Sequence, residues 1–429
     1  MNPRLSGTAS LLLAGNLTGF FIVSYLPGML GVESRVATVP FRAFLLGLAL
    51  YMLYRLLATR SLRVGFDFAT AVSLFFWSAY SMRFIADAGF LQVPLGRPPD
   101  EIALFLFGAT LPAFIAFYCI RDIRLYKPAL GWAVLLLGVC CYLAIRENGS
   151  DVLKHAHGAN DVLNHITYGH MGLTTIILGL FVLLNVDKDQ RFRFWMRCLS
   201  IGAILLGVYT ILSAGSKGAA VAAVLLIPMT IWLGMKRGSK WIISGILIAL
   251  VVAAVFSFKI LNKSGGLEKT LYSAAAFSGS SYSVYARQDM MGAAWREYQD
   301  NPILGSSIVE RQWLSYPHNA VLESFMATGT FGGVAFVLMM AIATWRAFRI
   351  MRRDVSISWL PLCFFQQLIG AMFSGGIYGN FVLFGLTGIM LGVELPNGYF
   401  VMAPTGYSDT RIGVVAAIAE RQNETGAEA

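Results

Sequence analysis

The chain has 429 residues, of which 57% are hydrophobic and 13% are charged, and its formal net charge is +10. A mean hydropathy of +0.65 excludes an ordinary soluble domain. The basic residues cluster in short segments between apolar runs, so the positive charge indicates membrane orientation and gives no support to a nucleic-acid partner. We therefore expect an all-α polytopic membrane protein that forms a single integral membrane domain over residues 1–429.

Apolar runs long enough to cross a bilayer recur along the chain, since a spanning helix needs about 20 such residues. They predict about twelve spans, near residues 9–29, 40–58, 67–86, 102–120, 129–145, 168–186, 195–213, 218–235, 241–260, 319–344, 358–377 and 380–397. Lysine and arginine accumulate in every second loop. The positive-inside rule then places both termini and the 398–429 tail in the cytoplasm of a bacterium, and the large 261–317 loop before the tenth span in the periplasm.

Two polar residues stand in the tight outward turn between the seventh and eighth spans. Ser216 is suited to cap the eighth helix, and Lys217 follows it. A lysine at a helix start either anchors the helix at the membrane interface or contacts a phosphate. The outward loop from Arg146 to Thr167 contains several histidines and aspartates, but such sets are common in solvated loops, so we expect no metal site.

The periplasmic loop is predicted to be partly helical, over Ser283–Gln299. On that helix Arg287 lies at the edge of an apolar stripe, and no carboxylate occupies the positions three or four residues away. Its guanidinium either extends to the interface while its stem packs on apolar surface, or binds an anionic ligand. A phosphate is the ligand that a guanidinium grips best.

The residues that open the tenth span form a second candidate site. Ser315 is predicted to cap this helix and Pro317 to begin it, which places His318 in the first turn, at the positive end of the helix dipole. That field favours a neutral imidazole, which can accept a proton; alternatively His318 is an interfacial residue bonded to a loop carbonyl. Asn319 and Glu323 share one helix face, so Glu323 either lies near His318 or faces a wet cavity.

The order of these elements resembles the shared domain of the bacterial O-antigen ligase (WaaL) family, within the O-antigen ligase/polymerase superfamily. The resemblance rests on Arg287, Asn301-Pro302-Ile303-Leu304-Gly305, and His318-Asn319 followed after nine residues by Gly329-Thr330-Phe331-Gly332. It covers roughly residues 205–395. The family's upstream Arg-x3-Leu element is replaced here by the segment from Lys217 to Val221, which keeps a cation but loses the planar guanidinium fork.

The resemblance implies transfer of an O-antigen glycan from undecaprenyl diphosphate to a lipid A-core hydroxyl, at the periplasmic face of the inner membrane, without a cofactor or a metal. His318 and Arg287 are the implied catalytic residues. Arg287, Lys217 and Asn319 would bind the donor diphosphate, with support from Glu323 and Ser216. Fixed cations stabilise a departing diphosphate and a neutral histidine accepts a hydroxyl proton, so inversion by direct displacement is expected.

Three other functions fit parts of this pattern. An O-antigen polymerase uses the same donor, but neither Arg287 nor Arg296 begins the Arg-x10-Gly element typical of polymerases. A protein O-oligosaccharyltransferase usually carries an additional soluble portion. A twelve-span lipid or solute transporter commonly has two related halves joined by a central cytoplasmic loop, and neither the repeat nor that loop is evident here.

Overall fold

The computed structural model describes residues 3–30, 34–62, 67–148, 165–185, 193–214, 216–234 and 282–394, and every regular element within them is helical. All of them belong to one compact unit, Met1–Glu394. The predicted ninth span at 241–260, the first part of the 261–317 loop and the 398–429 tail lie outside the described residues.

The described residues form fourteen α-helices, α1 to α14 in chain order. They are α1 Pro3–Ala14, α2 Phe20–Leu30, α3 Ser34–Ala58, α4 Phe68–Ile85, α5 Pro99–Phe105, α6 Leu111–Tyr118, α7 Ala129–Asn148, α8 His165–Asn185, α9 Arg193–Ala214, α10 Lys217–Gly234, α11 Tyr282–Asp300, α12 Ala320–Arg353, α13 Trp359–Phe373 and α14 Phe381–Gly392. In the described part of the chain, three π-helical turns continue a helix without a break, at Gly15–Gly19, Ala86–Phe90 and Leu106–Thr110.

The predicted all-helical class is confirmed for the described residues. Seven helices among the described residues are long and apolar enough to cross a membrane, and three shorter apolar helices accompany them. The seven are Leu5–Tyr25, Val36–Ala58, Pro99–Tyr118, Ile123–Arg146, Ile166–Asn185, Phe194–Ala214 and Ala320–Arg353; the shorter ones are Gly218–Gly234, Trp359–Phe373 and Phe381–Gly392. The count of about twelve spans stays a prediction.

The interior is built by close helix pairs, chiefly α8 with α9, α6 with α14 and α4 with α12. Small residues bring α8 and α9 together: a β-carbon at Gly172 would lie 2.7 Å from the Gly207 carbonyl oxygen, and one at Gly207 equally close to that of Gly172. Such contacts between small residues are how helices associate in a bilayer, where burial of apolar surface gives little driving force.

The helix ends form two groups of contacts. At one end Arg83 and Asp87 hold the segment around Gly305–Ile308. At the other end Arg346 pairs with Asp67 at 3.3 Å, and Arg121 donates to the Gly392 carbonyl at 2.9 Å. The loops predicted to be periplasmic thus meet one another at one end, while the assignment of that end to the periplasm stays a prediction.

Candidate functional site

His318 lies just before helix α12, so its predicted place in the first helical turn is wrong. The helix begins at Ala320, and the Asn319 side-chain oxygen accepts the Leu322 N–H at 3.0 Å, which makes Asn319 the N-cap. The predicted cap, Ser315, instead accepts the Glu310 N–H through its carbonyl at 2.8 Å. His318 has φ 58°, a left-handed conformation that is uncommon outside glycine and in which histidine is enriched.

The His318 imidazole is held in its neutral form. Burial lowers the pKa of His318 to about 4, and the charge of the nearby Arg287 acts in the same direction. The Nδ1 atom is buried and has no hydrogen-bond partner among the described residues. An imidazole that is neutral at pH 7 and retains an unpartnered nitrogen is suited to accept a proton from a ligand.

Arg287 lies on α11, and the structure brings it close enough to His318 to act on its pKa. The observed helix, Tyr282–Asp300, confirms the predicted helical segment. Arg287 is half-buried and forms no ion pair with any carboxylate in the described part of the chain. A partly desolvated guanidinium with no protein anion beside it is an anion-binding group.

Tyr316 connects this pair to the rest of the site. Its ring packs edge-on against the His318 imidazole, with the ring centroids 4.8 Å apart, and its hydroxyl shares a hydrogen bond with Ser374. Burial raises the pKa of the Tyr316 hydroxyl, while the charges of Arg97 and Arg287 act to lower it. Tyr316 is therefore close enough to Arg97 and Arg287 for both charges to act on its hydroxyl, and periodicity along α11 or α12 gave no signal for it.

The glycine motifs on either side of His318 join α11 to α12. Helix α12 breaks at Gly329, where φ is 67°, and the break frees backbone groups that the preceding loop uses. The Thr330 N–H donates to the Pro302 carbonyl at 2.7 Å, and the Met326 carbonyl accepts the Ser306 N–H at 2.7 Å. β-carbons at Gly305 or Gly329 would overlap the opposing backbone.

An ion pair fixes the same loop to α4. Arg83 Nη2 lies 2.6 Å from Asp87 Oδ1, and Arg83 also donates to the carbonyls of Gly305 and Ser306. Asp87 is fully buried, and its other oxygen accepts the Ile308 N–H at 2.9 Å. Arg83 is thus a structural anchor for the segment between the two helices that carry Arg287 and His318.

Glu323 has neither a contact with His318 nor an exposed position, so the prediction that it faces a wet cavity is wrong. It is fully buried, and Oε1 accepts the Tyr80 hydroxyl and the Ile377 N–H, each at 2.9 Å. These bonds tie the start of α12 to α4 and to the turn after α13. Glu323 therefore supports the site indirectly, by fixing the first turn of α12 and the backbone next to Tyr378.

The other predicted residues stand at the beginning of α10. Ser216 caps this helix as predicted, accepting the Ala219 N–H at 3.4 Å. Lys217 is the first helical residue, and its side chain lies outside the described residues. Gly218, next to it, packs against Phe373 and the His170 ring. His170 is also part of the lining of a cavity, so the start of α10 lies beside that cavity. Most of the histidine-containing 146–167 loop also lies outside the described residues.

That cavity has a volume of about 440 Å³ and is lined by residues of several helices, of the loop before α5 and of the turn after α13. Its polar lining includes residues that the sequence did not single out, namely Asn16, Arg42, Arg97, His170, Tyr316 and Tyr378. They come from segments far apart in the chain, and none belongs to a recognisable motif. Tyr316 lines the cavity and also contacts His318, so the two places adjoin.

Residues 201–337 match the family model described as O-antigen ligase. The matched segment contains Lys217, Arg287, His318 and Glu323, and it ends before the predicted limit of 395. No curated protein matches the chain. Most of the cavity lining, including Arg42, Arg97 and His170, lies outside the matched segment.

Proposed function

We propose that this protein transfers an O-antigen glycan from undecaprenyl diphosphate to a lipid A-core hydroxyl, because residues 201–337 match the family model described as O-antigen ligase. The family comprises ligase- and polymerase-type enzymes of glycan assembly, and the donor, the acceptor and the periplasmic location are our proposal. The observation that carries it is the proximity of two side chains: a neutral His318 whose buried Nδ1 has no partner among the described residues, and an Arg287 that forms no ion pair with them.

The proposed reaction is a single displacement at the anomeric carbon of the donor sugar. The acceptor hydroxyl oxygen forms the new bond to that carbon, while the bond to the phosphate oxygen breaks and its electron pair stays on the diphosphate. His318 takes the hydroxyl proton and later releases it to water. One displacement inverts the anomeric configuration.

Arg287 stabilises the negative charge that grows on the departing diphosphate. Its positive charge already lies near the His318 imidazole before the donor binds, and a charge in place when the bond breaks stabilises the leaving group most effectively. The bound diphosphate would also raise the pKa of His318 from its low value, because an anion favours the imidazolium form. The base therefore strengthens when the donor is in place.

We expect His318→Asn to lower kcat by about 10²–10⁴-fold with little change in the KM of the donor, because the variant removes the base but tolerates the left-handed backbone. The measurement uses purified full-length protein with carrier-linked glycan and lipid A-core. His318→Ala gives the comparison with a residue that does not favour this backbone. A kcat within a few-fold of wild type in His318→Asn would show that the histidine is not the base.

The acceptor is tested by supplying the same donor with lipid A-core, with a second carrier-linked glycan, or with a serine-containing peptide. Our proposal predicts product only with lipid A-core. Product with the second glycan would instead show a polymerase, and product with the peptide a protein glycosyltransferase.

A further inference from the structure

The orientation of the His318 imidazole is not fixed by a hydrogen bond from the described part of the chain. Its buried Nδ1 has no partner among those residues, and no hydrogen bond contributes to its low pKa. Functional histidines are usually oriented by a hydrogen bond to one ring nitrogen, which also selects the tautomer. Without such a bond the torsion that turns the ring is broad. Among the described residues, packing is therefore what orients this imidazole.

The aromatic ring packed against the imidazole is that of Tyr316. The two ring centroids lie 4.8 Å apart and the ring planes meet at 68°, the edge-on arrangement that aromatic pairs prefer. Pro317 separates the two residues, and proline fixes its own φ and restricts the backbone of the residue before it. The relative position of the two rings is thus set by a short and restricted piece of backbone.

The turn after α13 holds the Tyr316 side chain. The tyrosine hydroxyl shares a hydrogen bond with Ser374, the residue that ends α13. Gly376 lies against the ring, since a β-carbon there would be 3.2 Å from Tyr316 Cδ1. A hydroxyl bonded at one end and a ring face in close contact leave the tyrosine little freedom to turn.

The backbone just before Tyr316 is held by a second loop. Gly96, in the loop before α5, has φ 66°, and a β-carbon there would overlap the Leu314 carbonyl. The Glu310 N–H donates to the Ser315 carbonyl at 2.8 Å, which closes the segment on itself. The tyrosine is therefore fixed through its backbone as well as through its side chain.

We propose that Tyr316 is a positioning residue: its ring holds the His318 imidazole in one orientation, and the turn after α13 holds that ring in turn. The inference rests on the proposed function, in which His318 takes a proton from the acceptor. A base has to meet the hydroxyl within hydrogen-bond reach. Misplacement of a reacting group by about 1 Å can lower the rate by about 10²-fold, so a ring that keeps the imidazole in place contributes to kcat.

The kinetic test compares Tyr316→Leu with Tyr316→Phe in the transfer assay, using full-length protein. Both variants lose the hydrogen bond to Ser374, but only the leucine variant loses the ring. We expect Tyr316→Leu to lower kcat by about 10–100-fold and to leave the KM of the donor within about threefold of wild type. Tyr316→Phe should keep kcat within about fivefold of wild type. Equal kcat values in the two variants would overturn the proposal.

A second measurement follows the histidine without any transfer. Diethyl pyrocarbonate modifies neutral imidazole, and peptide mass spectrometry gives the rate at His318 for the protein in phosphatidylcholine nanodiscs. In wild type this rate should stay constant from neutral pH down to about 5, because burial and the charge of Arg287 lower the pKa to about 4. In Tyr316→Leu water reaches the ring and the pKa rises toward about 6.5. The rate should then fall at a higher pH, while Arg287 and the charged neighbours of Tyr316, Arg97 and Glu323, are unchanged.

Tyr298→Leu is the matched control. Tyr298 lies on α11, its ring packs edge-on against Phe325 with centroids 5.5 Å apart, and its hydroxyl shares a hydrogen bond of 3.0 Å with Thr330. It has the same kinds of contact as Tyr316 but none with His318, so its loss should leave the modification profile of His318 as in wild type. The same shift in Tyr298→Leu as in Tyr316→Leu would overturn the proposal.

Gly376→Ala tests the same contact from the other side. It keeps Tyr316 but pushes on its ring, so the profile should shift in the same direction by a smaller amount. This variant decides the matter if thermal unfolding shows that Tyr316→Leu is not folded. A wild-type profile in Gly376→Ala and in any folded Tyr316→Leu would show that the ring does not hold the imidazole.

Failure of the proposed function has a different signature, which is the absence of transfer by wild type. The modification profiles need no transfer, so they still decide in that case whether Tyr316 holds the imidazole. Transfer by wild type together with an unchanged profile and an unchanged kcat in Tyr316→Leu would overturn the positioning role alone.

Discussion

At the scale of single residues, the site depends on what surrounds His318. An imidazole of ordinary pKa, about 6.5, would be partly protonated near neutral pH. Here burial and the charge of Arg287 lower the pKa to about 4, so the proton-accepting form predominates throughout the physiological range. The left-handed backbone at φ 58° directs the ring from the N-cap region toward Tyr316, and the loop contacts sustain that conformation.

The pH dependence of transfer is expected to report this environment. Since only the neutral imidazole accepts a proton, kcat/KM should fall as the pH decreases through about 4 and remain flat across pH 6.5. In Arg287→Gln the repulsive charge is lost, so the residual activity should fall at a higher pH. The measurement is a pH profile of initial rates for wild type and variant.

The matched control is Arg296→Gln, which removes an exposed arginine from the same helix. Its profile should coincide with that of wild type. If the acid limb of the Arg287→Gln profile coincided with that of wild type, the charge of Arg287 would not act on the pKa of His318.

At the scale of elements, the motif that carries the family resemblance is largely structural. Gly329 and Gly305 both have positive φ and face one another where the loop meets the broken helix α12. The bonds of Thr330 to Pro302 and of Ser306 to Met326 cross this junction. The number of residues between His318-Asn319 and Gly329 therefore sets the distance from the N-cap of α12 to its break. The loop before α12 is bonded to the backbone at that break.

Gly329→Ala is expected to lower the melting temperature and to reduce glycan transfer together. With φ 67° and ψ −167°, Gly329 lies in a backbone region that is essentially restricted to glycine, where alanine costs about 1–3 kcal/mol, and the added β-carbon would also overlap the Ile303 carbonyl. Gly292→Ala is the control, because this half-exposed glycine of α11 has only the flexible Arg296 side chain nearby. The control should be neutral or slightly stabilising. Thermal unfolding in detergent measures both, and equal melting temperatures would contradict the role assigned to the junction.

Glu323→Leu is expected to destabilise the protein by about 2–5 kcal/mol, because the Tyr80 hydroxyl and the Ile377 N–H would lose their acceptor within a buried region. Glu323→Gln keeps an acceptor oxygen and should recover much of that loss. Chemical unfolding of both variants measures the difference. A leucine variant as stable as the glutamine variant would show that these two bonds contribute little.

At the scale of the whole molecule, the distribution of basic residues between the two ends predicts how the protein is oriented in the membrane. The end that carries His318 and the cavity is predicted to face the periplasm, because the lysine- and arginine-rich loops lie opposite. The loop before α5, the segment before α12 and the turn after α13 all contribute residues to the cavity, and the segment before α12 also carries His318.

Cysteine labelling of spheroplasts tests this orientation. In a Cys198→Ser background, which removes the one exposed cysteine among the described residues, Gln299→Cys should react with a membrane-impermeant maleimide. Val355→Cys, exposed at the other end, should react only after the membrane is permeabilised. The reverse pattern would place the site in the cytoplasm.

The sequence by itself determined the helical class of the described residues, their apolar helices and the α11 segment, and it selected Arg287 and His318 as candidate residues. These follow from local properties: the length of apolar runs, the bias of basic residues, and the order of a short motif. The N-cap of α12 was predicted at Ser315, and it is Asn319. Serine and asparagine are both favoured as N-caps, and the backbone conformation selects one of them.

The tertiary structure decided which distant residues meet. Glu323 bonds to Tyr80 across 243 positions, and Arg42, His170 and Tyr316 converge on one cavity. Periodicity tells which face of a helix is apolar, but it does not tell which other helix that face will contact. Partners of buried polar groups are set by packing between helices, and for that reason the cavity is visible only in the folded chain.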